Sequence, residues 1–334
     1  MSAKVDSINI VLMLISCLLA FIFPFELFLF SYIILGPLHY MTELSWLKER
    51  RFFLQSAVSW KSLFYLGLSI VVAIIIIDMD ETLGYVDYTT TTQVYLSKTV
   101  MAMIASAFIL ALFLLMKSSR QRLIVVGAVS FLGGLWLTES FYFSLIVGIF
   151  IPTLIHTTIF TGAFILEGAL KNRSSISIVS FFVFVVCNMI FFIVPDISGR
   201  LLDNNYVQNI FLEGDFFHIN QALNALVYSM TDTFVLDSPN GLRIQGFIAF
   251  AYTYHYLNWF SKTEVIKWHH VPRGQLILSI GIWILSIGIH LIDVKVGIMF
   301  IALLSMLHVI MEFPLNHRSF INIWRLITAG PHKA

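Results

Sequence analysis

Long apolar runs recur along almost the whole of this 334-residue sequence. About 20 consecutive apolar residues cross the hydrocarbon core of a bilayer as one helix. Only 12% of the residues are charged, roughly half the share found in soluble domains. The sequence therefore predicts an all-α integral membrane protein with about ten transmembrane helices, and it excludes a soluble globular fold. The predicted spans cover residues 8–23, 27–46, 62–78, 98–116, 123–137, 141–167, 176–195, 244–260, 275–291 and 296–312.

Basic residues alternate between the two sides of the predicted spans. Lys and Arg are preferentially retained in cytoplasmic loops, and a cytoplasmic N-terminus leaves only four of the 20 basic residues on the outer side. We therefore predict a single polytopic domain over residues 1–334 in a prokaryotic inner membrane, with both termini in the cytoplasm. The four outer basic residues are Lys98, Arg200, Arg243 and Lys295.

The overall charge and the cysteine content exclude two further classes. The formal net charge is only +1, so there is no strong basic field to attract nucleic acid. Cys17 and Cys187 lie in separate apolar runs without a CxxC motif, and this argues against a disulfide framework and a thiolate metal site. Nucleic-acid binding and thiolate chemistry are therefore not expected.

One stretch, residues 205–236, mixes apolar and polar side chains. Phe211 stands close to Glu213 and Asn220 in the sequence, a composition typical of a helix that lies in the membrane interface. If this stretch crossed the membrane, the basic loop at 261–274 would move to the outside. We therefore interpret it as an amphipathic segment, interfacial or re-entrant, on the outer side.

Two histidine–glutamate pairs occur inside or at the end of predicted spans. His39 precedes Glu43 by four residues, and His308 precedes Glu312 by the same interval. Residues at i and i+4 lie on one face of a helix. Ionisable side chains are costly within the hydrocarbon region and commonly mark functional sites there, so both pairs are candidate site residues.

Two further histidines, His156 and His255, also lie in predicted spans. At ~1.5 Å per helical residue, His39, His255 and His308 lie about 10–15 Å from the cytoplasmic charge boundary, and His156 is somewhat deeper. Imidazole and carboxylate groups that share a depth are suitable ligands for non-haem iron in a helical bundle. We therefore predict a His/Glu-lined metal centre in the cytoplasmic half, with Fe(II) as the cofactor. The predicted metal ligands are His39, His156, His255 and His308, and the predicted further ligands or supporting residues are Glu43, Glu312 and Glu167.

Aromatic side chains and a histidine doublet give weaker indications. Tyr40, Tyr254 and Trp259 can line a pocket for a flat, unsaturated substrate, although Tyr254 and Trp259 also fit an interfacial aromatic belt. His269 and His270 are adjacent in a predicted cytoplasmic loop. They are candidates for a cytoplasmic mouth of the site, and an ordinary interfacial loop is the alternative.

Two short motifs resemble a known family. The GPLH sequence at 36–39, followed by Glu43, resembles the first histidine motif of the Brp/Blh family of membrane-bound carotene dioxygenases, and LHVIME at 307–312 is similar to the motif that closes that family. The resemblance implies an all-helical membrane enzyme with histidine-bound non-haem iron, which uses O2 to cleave a carotenoid-like polyene. Glu43 stands where the family has Asp, and Tyr40 and Trp259 stand where it has Gly and His.

These features favour a membrane-bound non-haem iron oxygenase whose partners are the lipid bilayer, O2 and a lipid-soluble substrate. A second class stays open, because a proton- or metal-ion-coupled transporter can use buried histidines and glutamates as an ion path. In a third class, the polar residues only join helices through hydrogen bonds. Bound metal separates the first class from the third, and a path open to both membrane faces identifies the transporter.

Overall fold

Every regular element in the described part of the chain is a helix. The computed structural model describes residues 3–54, 57–83, 90–116, 119–194, 205–214, 216–228, 236, 238–262 and 272–328. The α-helices are α1 (Ala3–Ile22), α2 (Pro24–Phe30), α3 (Gly36–Glu49), α4 (Ala57–Leu83), α5 (Thr90–Leu115), α6 (Arg120–Leu137), α7 (Phe141–Ser144), α8 (Thr161–Asn172), α9 (Ser175–Ile193), α10 (Asn205–Glu213), α11 (Phe216–Val227), α12 (Pro239–Ser261), α13 (Arg273–Ile292) and α14 (Val294–Thr328). Two π-helical segments, Ser31–Leu35 and Leu145–Phe160, and a 3-10 helix, Arg51–Phe53, complete the described elements.

Eight helical stretches among the described residues are long and apolar enough to cross a membrane. The predicted class, an all-helical integral membrane protein, is therefore confirmed by the length and composition of these stretches. The eight stretches are Lys4–Ile22, Pro24–Glu49, Ser59–Ile77, Thr92–Leu115, Tyr142–Asn172, Ser175–Ile193, Arg273–Ile292 and Val294–Thr328.

Two of the ten predicted spans, 123–137 and 244–260, correspond to α6 and α12 and are not among the eight. The first turn of α6 carries two arginines. The 23-residue helix α12 is long enough to cross, but it buries polar side chains such as Gln245 and Asn258. A helix enclosed by other helices needs no apolar surface toward lipid, so composition alone does not decide whether α12 crosses. The count of ten stays a prediction.

The chain divides into two compact units. The first unit comprises residues 1–42, 157–302 and 322–334, and the second comprises residues 43–156 and 303–321. In the first unit, α12 packs against α1, α2, α9, α11 and the π-helical segment Ser31–Leu35. The hydrogen bond between the Ser31 and Thr253 hydroxyls, 2.7 Å long, joins that segment to α12.

In the second unit, α5 packs against both α4 and α6. The approach of α6 to α5 is close, because a Cβ atom added at Gly134 would lie only 3.0 Å from the Cα atom of Ala102. Part of α14 packs against α5 through Phe313, whose ring centroid lies 5.1 Å from that of Phe108. Small residues such as Gly134 and Ala102 allow the backbones of α6 and α5 to approach closely, as in other membrane proteins.

Both π-helical segments lie beside predicted metal ligands. The first ends at Leu35, four residues before His39, and the second contains His156. A proline ring collides with the carbonyl group of residue i−4 in a regular α-helix. Pro37 lies two residues after the end of the first segment, and Pro152 lies inside the second. The wider π-helical turns accommodate the proline rings. The sequence thus places a local irregularity next to each histidine.

The predicted amphipathic segment 205–236 contains α10 and α11. These short helices contact each other; α10 also contacts α2, and α11 also contacts α12. Phe211, Phe216 and Asn220 are buried within the first unit. Most of residues 229–237 lie outside the described residues, and the outer-side location of the segment stays a prediction.

Candidate metal centre

Four buried ionisable side chains come together in the second unit. Glu43 lies on α3 and His156 lies in the π-helical segment Leu145–Phe160, whereas His308 and Glu312 lie one turn apart on α14. None of the four exposes more than 3% of its surface. We call this group the His/Glu cluster.

Three N···O distances within the His/Glu cluster are longer than those of usual hydrogen bonds. The His156 Nδ1 atom lies 3.4 Å from Oε2 of Glu312, and the His308 Nε2 atom lies 3.5 Å from Oε2 of Glu43 and 3.7 Å from Oε2 of Glu312. An N–H···O hydrogen bond is usually 2.7–3.2 Å long. Two ligand atoms that each lie ~2.1 Å from one metal ion are ~3.0–3.7 Å apart, for angles between roughly 90° and 125°. The observed spacing therefore matches that of atoms around a shared cation.

The charge of the His/Glu cluster also suits a cation. Two carboxylates in a buried site repel each other and lose their hydration, which is costly unless a positive charge is close. The imidazoles of His156 and His308, with ring centroids 4.8 Å apart, offer neutral nitrogen ligands. A divalent cation neutralises both carboxylates without requiring either histidine to be protonated.

A backbone contact orients one of the histidines. The Nδ1 atom of His308 lies 3.1 Å from the carbonyl oxygen of Ser305, so the Nδ1–H group donates to this carbonyl. The Nε2 lone pair then faces the carboxylates of Glu43 and Glu312. Such a contact fixes the tautomer of a metal-binding histidine and its ring orientation.

The donor atoms restrict the choice of metal. Imidazole nitrogen together with carboxylate oxygen suits borderline ions such as Fe(II) and Zn(II), whereas Ca²⁺ and Mg²⁺ prefer oxygen alone. One ligand atom from each of Glu43, His308 and Glu312 lies within 4.8 Å of the others. The His/Glu cluster can therefore hold a metal ion.

A second histidine group, the histidine pair, lies in the first unit. The Nε2 atoms of His39 and His255 lie 3.1 Å apart, and both side chains are buried. The Nδ1 atom of His255 lies 2.8 Å from the hydroxyl of Thr161. The pair can share one proton, and two facing lone pairs at this distance can also bind one cation.

Aromatic side chains enclose the histidine pair. The ring centroids of Tyr256 and Trp259 lie 5.1 and 5.6 Å from that of His39. The indole N–H of Trp259 donates to the hydroxyl of Thr42 at 3.0 Å, which fixes the ring position. These contacts place His39 in an apolar, aromatic environment with few rotational alternatives.

Two tyrosine hydroxyls meet beside the histidine pair. The hydroxyl oxygens of Tyr40 and Tyr256 lie 2.6 Å apart and form a hydrogen bond. A Cβ atom at Gly36 would lie 3.0 Å from the Tyr40 hydroxyl and 3.2 Å from that of Tyr256. Gly36 therefore leaves room for this hydrogen bond, which any larger residue would disturb.

The remaining predicted site residues among those described make other contacts. Glu167 forms an ion pair with Lys171 and accepts a hydrogen bond from Asn322 at 2.8 Å. Tyr254 points toward α1, where its hydroxyl donates to Asn9 at 3.3 Å. The predicted cytoplasmic mouth, His269 and His270, lies outside the described residues. Four-histidine ligation of one ion stays a prediction.

Two residues beside the histidine pair were missed by the sequence interpretation. Thr161 contacts His255, and Thr42 contacts Trp259. Hydroxyl side chains are frequent in membrane helices, where they commonly bond to other helices or to the backbone. Their presence in the sequence alone therefore gives no specific signal of a site.

The helices and the buried clusters define an integral membrane protein that can hold a metal ion. Comparisons with known protein families, curated proteins and solved structures found no match to this chain. The chemistry of the two histidine groups is the basis for assigning a function.

Proposed function

We propose that this protein is a membrane-bound non-haem iron oxygenase that acts on a lipid-soluble substrate. The observation that carries the proposal is the His/Glu cluster, with its 3.4–3.7 Å spacing between nitrogen and oxygen atoms in a buried site. Histidine and carboxylate ligands with open positions are typical of non-haem Fe(II) oxygenases. When bound, Fe(II) supplies dioxygen binding and redox chemistry.

The residues of the chain supply the remaining requirements of such an enzyme. Glu43 and Glu312 balance the charge of the cation, and the Ser305 carbonyl orients His308. Burial of all four side chains keeps bulk water away. Water exclusion strengthens electrostatic interactions and limits side reactions of reactive intermediates.

Oxidative cleavage of a carotenoid-like polyene is the specific reaction that we propose. The support comes from the resemblance of the motifs at 36–39 and 307–312 to those of the Brp/Blh family. In the first unit, the aromatic neighbours of His39 are Tyr40, Tyr256 and Trp259, and aromatic rings are the kind of side chain that suits a conjugated chain.

A proton- or metal-ion-coupled transporter is the second candidate. The same His–Glu distances are consistent with ion pairs that form when a histidine is protonated. Buried His/Glu groups in membrane helices are typical of proton relays in transporters. This alternative requires the carboxylates to gain and lose protons during transport.

Metal analysis of the detergent-purified protein tests the proposed function. We expect about one iron per chain after expression with sufficient iron, because the His/Glu cluster combines four potential ligands at suitable distances. Elemental analysis and quantitative protein determination on the same sample give the ratio. No metal above the level of a detergent blank would refute the iron enzyme.

The proposed orientation, with both termini cytoplasmic, is tested by reporter fusions. We expect fusions after Glu139 and after residue 203 to report the outer side, because the 195–215 region is rich in acidic residues and basic loops stay inside. A fusion after Lys262 should report the cytoplasm. Cytoplasmic signals at all three positions would instead support eight spans, without α6 and α12.

A further inference from the structure

The buried side-chain amide of Asn316, on α14, makes within the described part of the chain no hydrogen bond that would explain its burial. Asn316 exposes 1% of its surface. Neither its Nδ2 nor its Oδ1 atom has a hydrogen-bond partner among the described residues. Buried polar side chains are normally hydrogen-bonded, and exceptions often mark functional sites or bound small molecules.

Asn316 continues the functional face of α14. His308, Glu312 and Asn316 follow one another at intervals of four residues within one helix. Residues four apart stack on one helix face, and one turn rises ~5.4 Å. The amide of Asn316 therefore lies one turn from Glu312, on the same side of α14 as the His/Glu cluster.

Another buried asparagine shows what a structural role looks like in this protein. Asn9 exposes 2% of its surface. Its Nδ2 atom donates to the Val5 carbonyl at 2.9 Å, and its Oδ1 atom accepts from Tyr254 at 3.3 Å and from Ser261 at 3.0 Å. Both ends of this amide are hydrogen-bonded, and its Oδ1 atom joins α1 to α12, in contrast to Asn316.

We propose that the Asn316 amide binds a small polar ligand, water or an oxygen-derived anion, that enters the His/Glu cluster beside Glu312. The amide N–H groups donate to the ligand, and Oδ1 accepts from it when the ligand carries a proton. This inference rests on the proposed metal site and assigns a binding residue to it. A variant with an apolar residue at position 316 would fold at least as well as the unsubstituted protein, but it would bind the ligand less tightly.

The test uses the full chain loaded with Co(II), a spectroscopic substitute for iron, and azide as the small anion. We expect Asn316→Leu and Asn316→Ala to weaken azide binding about tenfold or more, since a hydrogen bond to a charged group is lost. Co(II) stoichiometry should be unchanged. The Tm of the metal-free Asn316→Leu protein should equal or exceed that of the unsubstituted protein, because a buried amide without partners is removed.

Asn9→Leu is the matched control. It should lower the Tm, because Val5, Tyr254 and Ser261 lose their hydrogen bonds to the Asn9 side chain. It should leave azide binding unchanged. Unaltered azide affinity in both Asn316 variants would overturn the inference and leave the metal site standing. A lower Tm for Asn316→Leu, like that of Asn9→Leu, would also overturn it by showing a structural role. Absence of stoichiometric Co(II) in the unsubstituted protein would overturn both the inference and the metal site.

Discussion

Replacing His308 with alanine is expected to abolish tight metal binding, with an affinity at least ~100-fold lower than that of the unsubstituted protein. Loss of a residue that only supports a ligand already costs ~10–100-fold. His308 is the residue whose Nε2 atom approaches both carboxylates, at 3.5 and 3.7 Å. Its loss removes one nitrogen donor and leaves Glu43 and Glu312 to repel each other. Metal content of the purified variant, measured by elemental analysis, gives the result.

His317→Ala is the control for this substitution. His317 lies on the same helix, is also buried, and its Nε2–H group donates to the carbonyl oxygen of Phe108 at 2.7 Å. The variant should lose some stability but keep its metal. If His317→Ala lost as much metal as His308→Ala, the loss would reflect general damage to α14, and the assignment of His308 would fail.

Two pairings expected from the sequence are present within the two units, because helical rise is regular. His308 and Glu312 lie on one face of α14, as their spacing predicts, and the His/Glu cluster includes both. His39 and His255 lie at similar predicted depths and meet at 3.1 Å. Within the first unit, counting residues from a charged boundary thus paired two side chains that are 216 positions apart in the chain; the common depth of His308 stays a prediction.

Rotation about the helix axis was harder to predict than depth. Glu167 lies within the long helical stretch that contains His156, yet it pairs with Lys171 and Asn322. The π-helical segment Leu145–Phe160 changes the number of residues per turn, so faces extrapolated from His156 at 3.6 residues per turn are displaced. The hydropathy of the sequence could not reveal this change, because the change from α-helix to π-helix concerns only the hydrogen bonds of the backbone.

The polarity of α12 illustrates a second limit. Hydropathy detects helices that face lipid, whereas α12 buries Gln245, Thr253 and His255 among other helices. A helix with this composition looks like a weak span, although it is the most enclosed helix of the first unit. Polar and ionisable side chains are favoured on an enclosed helix, because contact with lipid would cost free energy.

Replacing Glu312 with glutamine is expected to separate the enzyme from the transporter. Glu312 approaches both His156 and His308, at 3.4 and 3.7 Å. Glutamine keeps the size of the side chain but removes its charge. In an iron enzyme, metal affinity should fall by ~10–100-fold or more, because an anionic partner of the cation is lost. Elemental analysis after dialysis measures this change.

In a proton-coupled transporter, the same substitution removes a group that must bind and release a proton. Proteoliposomes with an entrapped pH-sensitive dye should then lose proton flux driven by a Zn²⁺ gradient, while metal retained in detergent stays the same. Glu167→Gln is the matched control, because the Glu167 carboxylate pairs with Lys171 and accepts a hydrogen bond from Asn322. Lost metal in a protein that moves neither ion supports the oxygenase, whereas lost flux with unchanged metal decides for the transporter.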